Sequence, residues 1–260
     1  ILEFNADTPT SLLEASVIQW QWKEDVFPEC DQFNGIHEGL VQSWKDIFPK
    51  KGEIHFAGAL ENNEDTGTLQ YLASTAMEAG FSTRVLDMQA LDLQNGRFFD
   101  PAGELVNRCF KLYPWEWMVD ESPDGCLAEM EWLEPIWKLV MSNKAILATL
   151  YELFPDSPYD LSRPRSGLFC KKPIFSREGH NVSVVDIRDW EEYVRIAETE
   201  GDYNTGAYVY QEYVEPTAYS GRYPVIGSWI IGGEAAGIGI RENRMEVTDN
   251  LSEFVPHIIG

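Results

Sequence analysis

The sequence predicts a mixed α/β fold, α+β in arrangement, in which a parallel strand–helix–strand part precedes a mostly antiparallel part. Three observations carry this. Apolar residues recur at helical spacing through residues 31–48. Residues 54–59, 65–79 and 81–86 read as strand, helix and strand, with Gly80 as the helix stop, which implies a right-handed parallel unit. Beyond Gly167 the chain breaks into short strands separated by turn residues.

Taken in order, Ile1–Asn5 reads as a strand that ends where Asp7, Thr8, Pro9, Thr10 and Ser11 open a helix. Leu12, Leu13, Ala15, Val17, Ile18, Trp20 and Trp22 predict that this helix is largely buried. Phe33, Ile36, Leu40, Val41, Trp44, Ile47 and Phe48 then define the apolar stripe of the 31–48 helix. Asn95-Gly96 is a two-residue turn needing positive φ, so residues 91–99 are expected to form a hairpin. The tryptophan-rich stretch 115–137 is read mainly as packing, followed by a helix over 144–154. Residues 155–167 form a linker, and strands are expected at 168–174, 181–185, 207–213, 223–231 and 235–241. The division that follows is 1–155, a metal-binding strand with an α/β part, and 156–260, a nucleotide-binding part, acting as one catalytic unit that is incomplete at its N-terminus.

The chain has 260 residues, 44% of them hydrophobic and 24% charged, which suits a folded domain. Its formal net charge of −23 repels phosphate backbones, excluding nucleic acid as a partner and favouring a cationic substrate. Cys30, Cys109, Cys126 and Cys170 lack metal or redox spacing, as do His37, His55, His180 and His257. No stretch approaches the ~20 apolar residues of a membrane span. A cytoplasmic protein with no membrane partner is expected.

Cys170-Lys-Lys-Pro-Ile-Phe-Ser-Arg-Glu-Gly-His-Asn-Val182 sets lysines on a strand end before a glycine turn, an arrangement able to fold over a triphosphate, although by itself such a segment is more often an ordinary hairpin. Gln211 and Glu212, on a strand some forty positions on, could hydrogen-bond an adenine edge or simply face water. Glu3 and Asn5 lie at i and i+2, one face of a strand, and offer oxygen donors to magnesium.

Asn5-Ala-Asp7-Thr8, Phe110-Lys111, Trp115-Glu116, Asn143-Lys-Ala-Ile-Leu147, Leu153-Phe-Pro155, Lys172-Pro-Ile174, Arg177, Gly179, Asn181 and Arg241 together resemble the synthetase domain of glutathionylspermidine synthase and its stand-alone relatives. The resemblance implies an ATP-grasp fold and an ATP-dependent ligase that joins a carboxylate or peptide to an amine, polyamines included, through an acyl phosphate, with ATP and Mg2+. It implies that Glu3 and Asn5 hold metal, and that Lys172, Arg177, Gly179 and Asn181 contact phosphates. It further places Gln211 and Glu212 by the adenine, Arg241 and Arg177 at the transferring phosphoryl group, and Thr8, Thr10, Glu64 and Asp65 on the substrate side. Two positions depart from the family: Ala207 stands where a second lysine contacts ATP, and Leu112 where a hydroxyl residue helps bind glutathione. The family's arginine and aspartate upstream of Glu3 precede the first residue of this chain. Rival readings are an ATP-binding protein without catalysis and a structural domain without nucleotide.

Overall fold

A computed structural model describes residues 1–154, 166–188, 193–203, 206–247, 249 and 251–260. The chain divides into two compact units. One comprises Ile1–Asn5, Val140–Val225 and Arg241–Phe254, the other Ala6–Leu139, Ile226–Ile240 and Val255–Gly260. The expected boundary at 155/156 lies among residues outside those described.

The larger unit opens with a π-helical turn, Glu14–Ile18, running into α1 (Gln19–Val26), then α2 (Ile36–Ile47), β1 (Glu53–Gly58), α3 (Asn63–Glu78) and β2 (Ser82–Asp87). β3 (Asp92–Gln94), β4 (Arg97–Phe99) and β5 (Leu105–Val106) form a small antiparallel sheet. β6 (Arg108–Leu112), α4 (Trp115–Glu121), α5 (Pro123–Cys126) and β7 (Glu131–Leu133) follow. The main sheet has the order β2-β1-β6-β7 with every pairing parallel. β1 reads Glu-Ile-His-Phe-Ala-Gly and is buried from Ile54 onward, the near-continuous apolar run of a strand covered on both faces. Trp44 of α2 closes over it, edge-on to Phe56 and Phe110, while its indole N–H donates to Thr75 Oγ1 of α3 at 2.9 Å. Asn95 (φ 51°) and Gly96 (φ 75°) make the expected hairpin turn between β3 and β4.

In the other unit, α6 (Lys138–Ser142) leads in from the preceding segment and α7 (Ile146–Leu153) precedes the strands β8 (Gly167–Pro173), β9 (Ser183–Ile187), β10 (Tyr193–Glu198) and β11 (Tyr208–Glu212). These pair antiparallel in the order β10-β9-β8-β11. β12 (Tyr223–Ile231), β13 (Glu234–Asn243) and β14 (Glu253–Val255) form a three-stranded sheet whose residues are divided between the two units, Ile226–Ile240 belonging to the larger.

Three expectations are corrected. Ile1–Asn5 forms no strand: the Ile1 and Leu2 carbonyls accept from the Gln211 amide (2.9 Å) and the Lys172 ammonium (3.2 Å), so side chains take the place of a ladder. The first helix is not largely buried, because Val17, Ile18 and Trp20 face solvent while Leu12, Ala15, Ser16, Gln19 and Lys23 face inward. The second helix starts at Ile36, since Asp31 and Asn34 are spent in bridges to Ile259 and Gly237. Of the tryptophans, Trp115 is fully buried as expected, whereas Trp117 and Trp137 are exposed.

Candidate functional site

The four-stranded antiparallel sheet carries the candidate nucleotide residues. Lys172 on β8 stands opposite Val209 on β11, and Cys170 opposite Gln211, so alternation turns Lys172 and Gln211 to the same face. Lys172 Nζ donates to Gln211 Oε1 at 2.8 Å, and both side chains are buried. Burial holds the Lys172 pKa below its ordinary value, with Lys144 adding to the depression and Cys170 and Glu3 opposing it. Lys171 lies on the other face with its ammonium 4.1 Å from the Tyr208 ring centroid. Glu212, one residue past Gln211, also points away and is exposed, so the two residues expected at an adenine do not share a face.

Lys144 was not singled out from the sequence, although it stands in the Asn143-Lys-Ala motif. It precedes α7, is 7% exposed, and puts Nζ 3.5 Å from Glu3 Oε2 and 2.6 Å from the Ser176 carbonyl. Asn5 Nδ2 donates to Glu3 Oε1 at 3.2 Å, so the two expected metal donors do come together. The donor set is one carboxylate and one amide oxygen, and the described residues hold no group of three or more His, Cys, Asp or Glu suited to a metal. Such a pair fits Mg2+ that completes its shell with phosphate and water.

The β8–β9 loop holds Arg177, Gly179 and Asn181. Glu178 (φ 54°), Gly179 (φ 68°) and Asn181 (φ 54°) adopt positive φ, and His180 N donates to the Arg177 carbonyl at 2.9 Å, making a tight turn. Asn181 lies in this turn, because the strand begins only at Ser183. Its side chain accepts from Tyr203 N at 2.8 Å, while Thr199 Oγ1 donates to the Gly179 carbonyl and accepts from Val182 N. The loop is therefore fastened to the segment after β10. Arg241 on β13 donates to the Asp249 carbonyl at 2.8 Å.

In the parallel-sheet unit the substrate candidates lie in two segments, Thr8 and Thr10 ahead of the π-helical turn and Glu64 and Asp65 at the start of α3 just past the end of β1, the end of the strands at which open α/β sheets take ligands. Asp7 salt-bridges Lys111 of β6 and accepts from Trp115 N at 2.7 Å, capping α4; Thr8 beside it is buried and Thr10 is exposed. Glu64 and Asp65 occupy the first turn of α3, favourable to the helix dipole, with Glu64 N capped by Asn62 Oδ1 at 2.9 Å. Leu112 is buried.

A chain holding both a parallel αβ part and an antiparallel sheet that buries lysines has the ATP-grasp class of architecture. The chain belongs to the glutathionylspermidine synthase preATP-grasp family, whose model matches residues 1–260. It is 37% identical to a Haemophilus influenzae protein named "Putative acid--amine ligase", over 99% of this chain and 70% of that protein. It is 28% identical to the trypanothione synthetase of Crithidia fasciculata, over 97% of this chain and 43% of that protein. Against the bifunctional glutathionylspermidine synthetase/amidase of Escherichia coli it is 26% identical, over 100% of this chain and 47% of that protein. The chain thus spans less than half the length of these last two. Its fold is similar to that of the Methylobacillus flagellatus KT protein named "Putative gamma-glutamylcysteine synthetase", with a TM-score of 0.56 at 10% identity, covering 85% of this chain and 72% of that one. Among the described residues no helix is long and apolar enough to cross a membrane.

Proposed function

We propose that this chain is the catalytic core of an ATP-dependent carboxylate–amine ligase. The supporting observation is the pairing of two buried lysines, Lys172 and Lys144, with one carboxylate, Glu3, in a single unit. Two buried ammonium groups set near one carboxylate suit a polyanion such as a triphosphate, which accepts charge-assisted hydrogen bonds from both. Glu3 and Asn5 would hold Mg2+, which supplies charge neutralisation on the phosphates. Lys172, Lys144, Arg177, Gly179 and Asn181 serve the phosphates, with Gln211 toward the base, Glu212 turned to the opposite face, and Arg241 and Arg177 at the transferring group. In the parallel-sheet unit, Thr8, Thr10, Glu64 and Asp65 serve the substrates.

A substrate carboxylate oxygen attacks the γ-phosphorus as the bond to the β-phosphate oxygen breaks, releasing ADP and leaving an acyl phosphate. The amine nitrogen then attacks the acyl carbon, the carbon–oxygen bond to phosphate breaks, and the nitrogen loses a proton. The chain contributes position and fixed positive charge rather than a covalent partner. The −23 net charge favours a cationic amine, polyamines included, and Leu112 and Ala207 loosen the requirement for glutathione as the acid. A panel of acids and amines tests this: ADP should form when both substrates are present. ATP binding without ADP formation under any pair would instead identify a nucleotide-binding protein without catalysis.

A further inference from the structure

His257 sits where segments far apart in sequence are fastened together in the larger unit, and its hydrogen-bond partners are none of the nucleotide or substrate residues. Its Nε2 accepts from Phe33 N at 3.2 Å. A backbone N–H can only donate, so Nε2 must hold a lone pair. The other ring nitrogen, Nδ1, lies 2.9 Å from Gln19 Oε1. A flip of that amide is barred, because Gln19 Nε2 already donates to the carbonyls of Ala15 and Ile238, the latter at 2.9 Å. Nδ1 therefore carries the proton, and the two partners together admit only the neutral imidazole with hydrogen on Nδ1.

Around this ring, residues 257–259 are clamped to the connector between α1 and α2. Asp31 N donates to the Ile259 carbonyl at 2.9 Å, and Ile259 N to the Asp31 carbonyl at 2.7 Å. Gln32, itself buried, donates from Nε2 to the His257 carbonyl at 2.8 Å and to the Gln19 carbonyl at 3.2 Å. A second proton on the imidazole would set Nε2–H against Phe33 N–H, two donors with no acceptor between them. Swinging the ring away would strand Gln19 Oε1 without its donor in a residue only 1% exposed.

We infer that residues 257–259 form a pH-operated latch on the α1–α2 connector, closed while His257 is neutral and released when it is protonated. Burial lowers the His257 pKa, with no charge among the described residues contributing. Of the titratable groups on the elements packed here, Lys23 of α1 is paired with Glu24, and Asp31 of the connector accepts from Gln32 N; Cys30 carries a free thiol. The closed latch binds the proton less readily than the open one. It holds above about pH 6.5 and releases as pH falls below that. This device does not depend on the ligase reading.

Magnetic resonance of the whole chain tests the latch in two ways. Long-range proton–nitrogen correlation of the imidazoles at pH 8 should show His257 with its proton on Nδ1 and with Nε2 bare. Amide hydrogen exchange, corrected for its intrinsic pH dependence, should show the protection of Asp31, Phe33 and Ile259 falling between pH 7.5 and pH 5 relative to the amides of β1. The expected fall is about fivefold or more, the equivalent of one lost hydrogen bond. In His257→Gln, whose amide oxygen can accept from Phe33 N but does not titrate, that relative fall should vanish. If the variant has no protection to lose, the unaltered chain decides, because the midpoint of opening must follow the His257 titration in the same spectra. A proton on Nε2 at pH 8, or protection at the three amides that keeps pace with β1, overturns the inference. So does a fall that persists in His257→Gln, or an opening out of step with the His257 titration.

Discussion

Lys111 and Asp7 form an ion pair sealed from solvent, the ammonium 0% and the carboxylate 1% exposed. The lysine also donates to the Tyr113 carbonyl at 2.8 Å and lies 4.3 Å from the Trp115 ring centroid. One contact thereby joins the segment carrying Thr8 to the end of β6 and the start of α4. Burial lowers the Lys111 pKa, with Asp7 the main opposing influence.

Removing one member of such a pair strands the other. Asp7→Asn should therefore cost about 3–5 kcal/mol of stability, read from urea unfolding, while Asp7→Leu combined with Lys111→Met should recover most of it. Equal losses in the single and double variants would show that the pair is not what secures this junction.

His55 gives the fold a pH dependence. It sits buried on β1 with Nε2 3.7 Å from Glu53 and 3.9 Å from Asp100, neither within hydrogen-bond reach, while Arg84 engages both carboxylates. Burial lowers its pKa, opposed by Glu53 and Asp100 and assisted by Arg84. The folded state thus binds its proton less readily than the unfolded chain, so this stabilisation is complete above about pH 6.5 and is lost as pH falls below it. The urea midpoint should drop between pH 7 and pH 5, and His55→Gln should flatten that drop. An undiminished slope in His55→Gln would assign the dependence to other groups.

The β8–β9 loop can be tested without touching a charge. A Cβ at Gly201 would lie 2.4 Å from His180 Cβ and 2.8 Å from Asn181 Oδ1. Gly201→Ala must displace the turn that holds Arg177 and Gly179, and the expected result is weaker ATP affinity at similar secondary-structure content by circular dichroism. Unchanged affinity would mean that the turn takes no part in binding.

The parallel unit was legible because its signals are local: helical spacing around Trp44, the Gly80 stop, and the Asn95-Gly96 turn each act within a few residues. What misled were residues whose partners lie far along the chain. Ile1–Asn5 has strand-like composition, yet its carbonyls are taken by Lys172 and Gln211. Trp20 looks like core, but the inward face of α1 carries Gln19 and Lys23 instead. At the candidate site, Glu3 with Asn5 and Lys172 with Gln211 are brought together as pairs. Strand alternation separates Gln211 from Glu212, a rule already available in the sequence. Lys144 escaped notice because a single lysine before a helix has no spacing signal; its contact with Glu3, 141 positions away, appears only in the fold.

The central claim rests on Lys172 as a phosphate-binding cation, and calorimetric titration of Mg·ATP into the chain, Lys172→Met and Lys171→Ala tests it most directly. Methionine keeps the buried stem and removes the charge, whereas Lys171 lies on the opposite face against Tyr208. The account predicts saturable binding by the unaltered chain and by Lys171→Ala, with affinity at least tenfold lower in Lys172→Met, whose unfolding midpoint falls because Gln211 Oε1 and the Leu2 carbonyl lose their donor while its circular dichroism at the titration temperature stays that of the folded chain. Absence of Mg·ATP binding, or equal affinity in all three proteins, would contradict it.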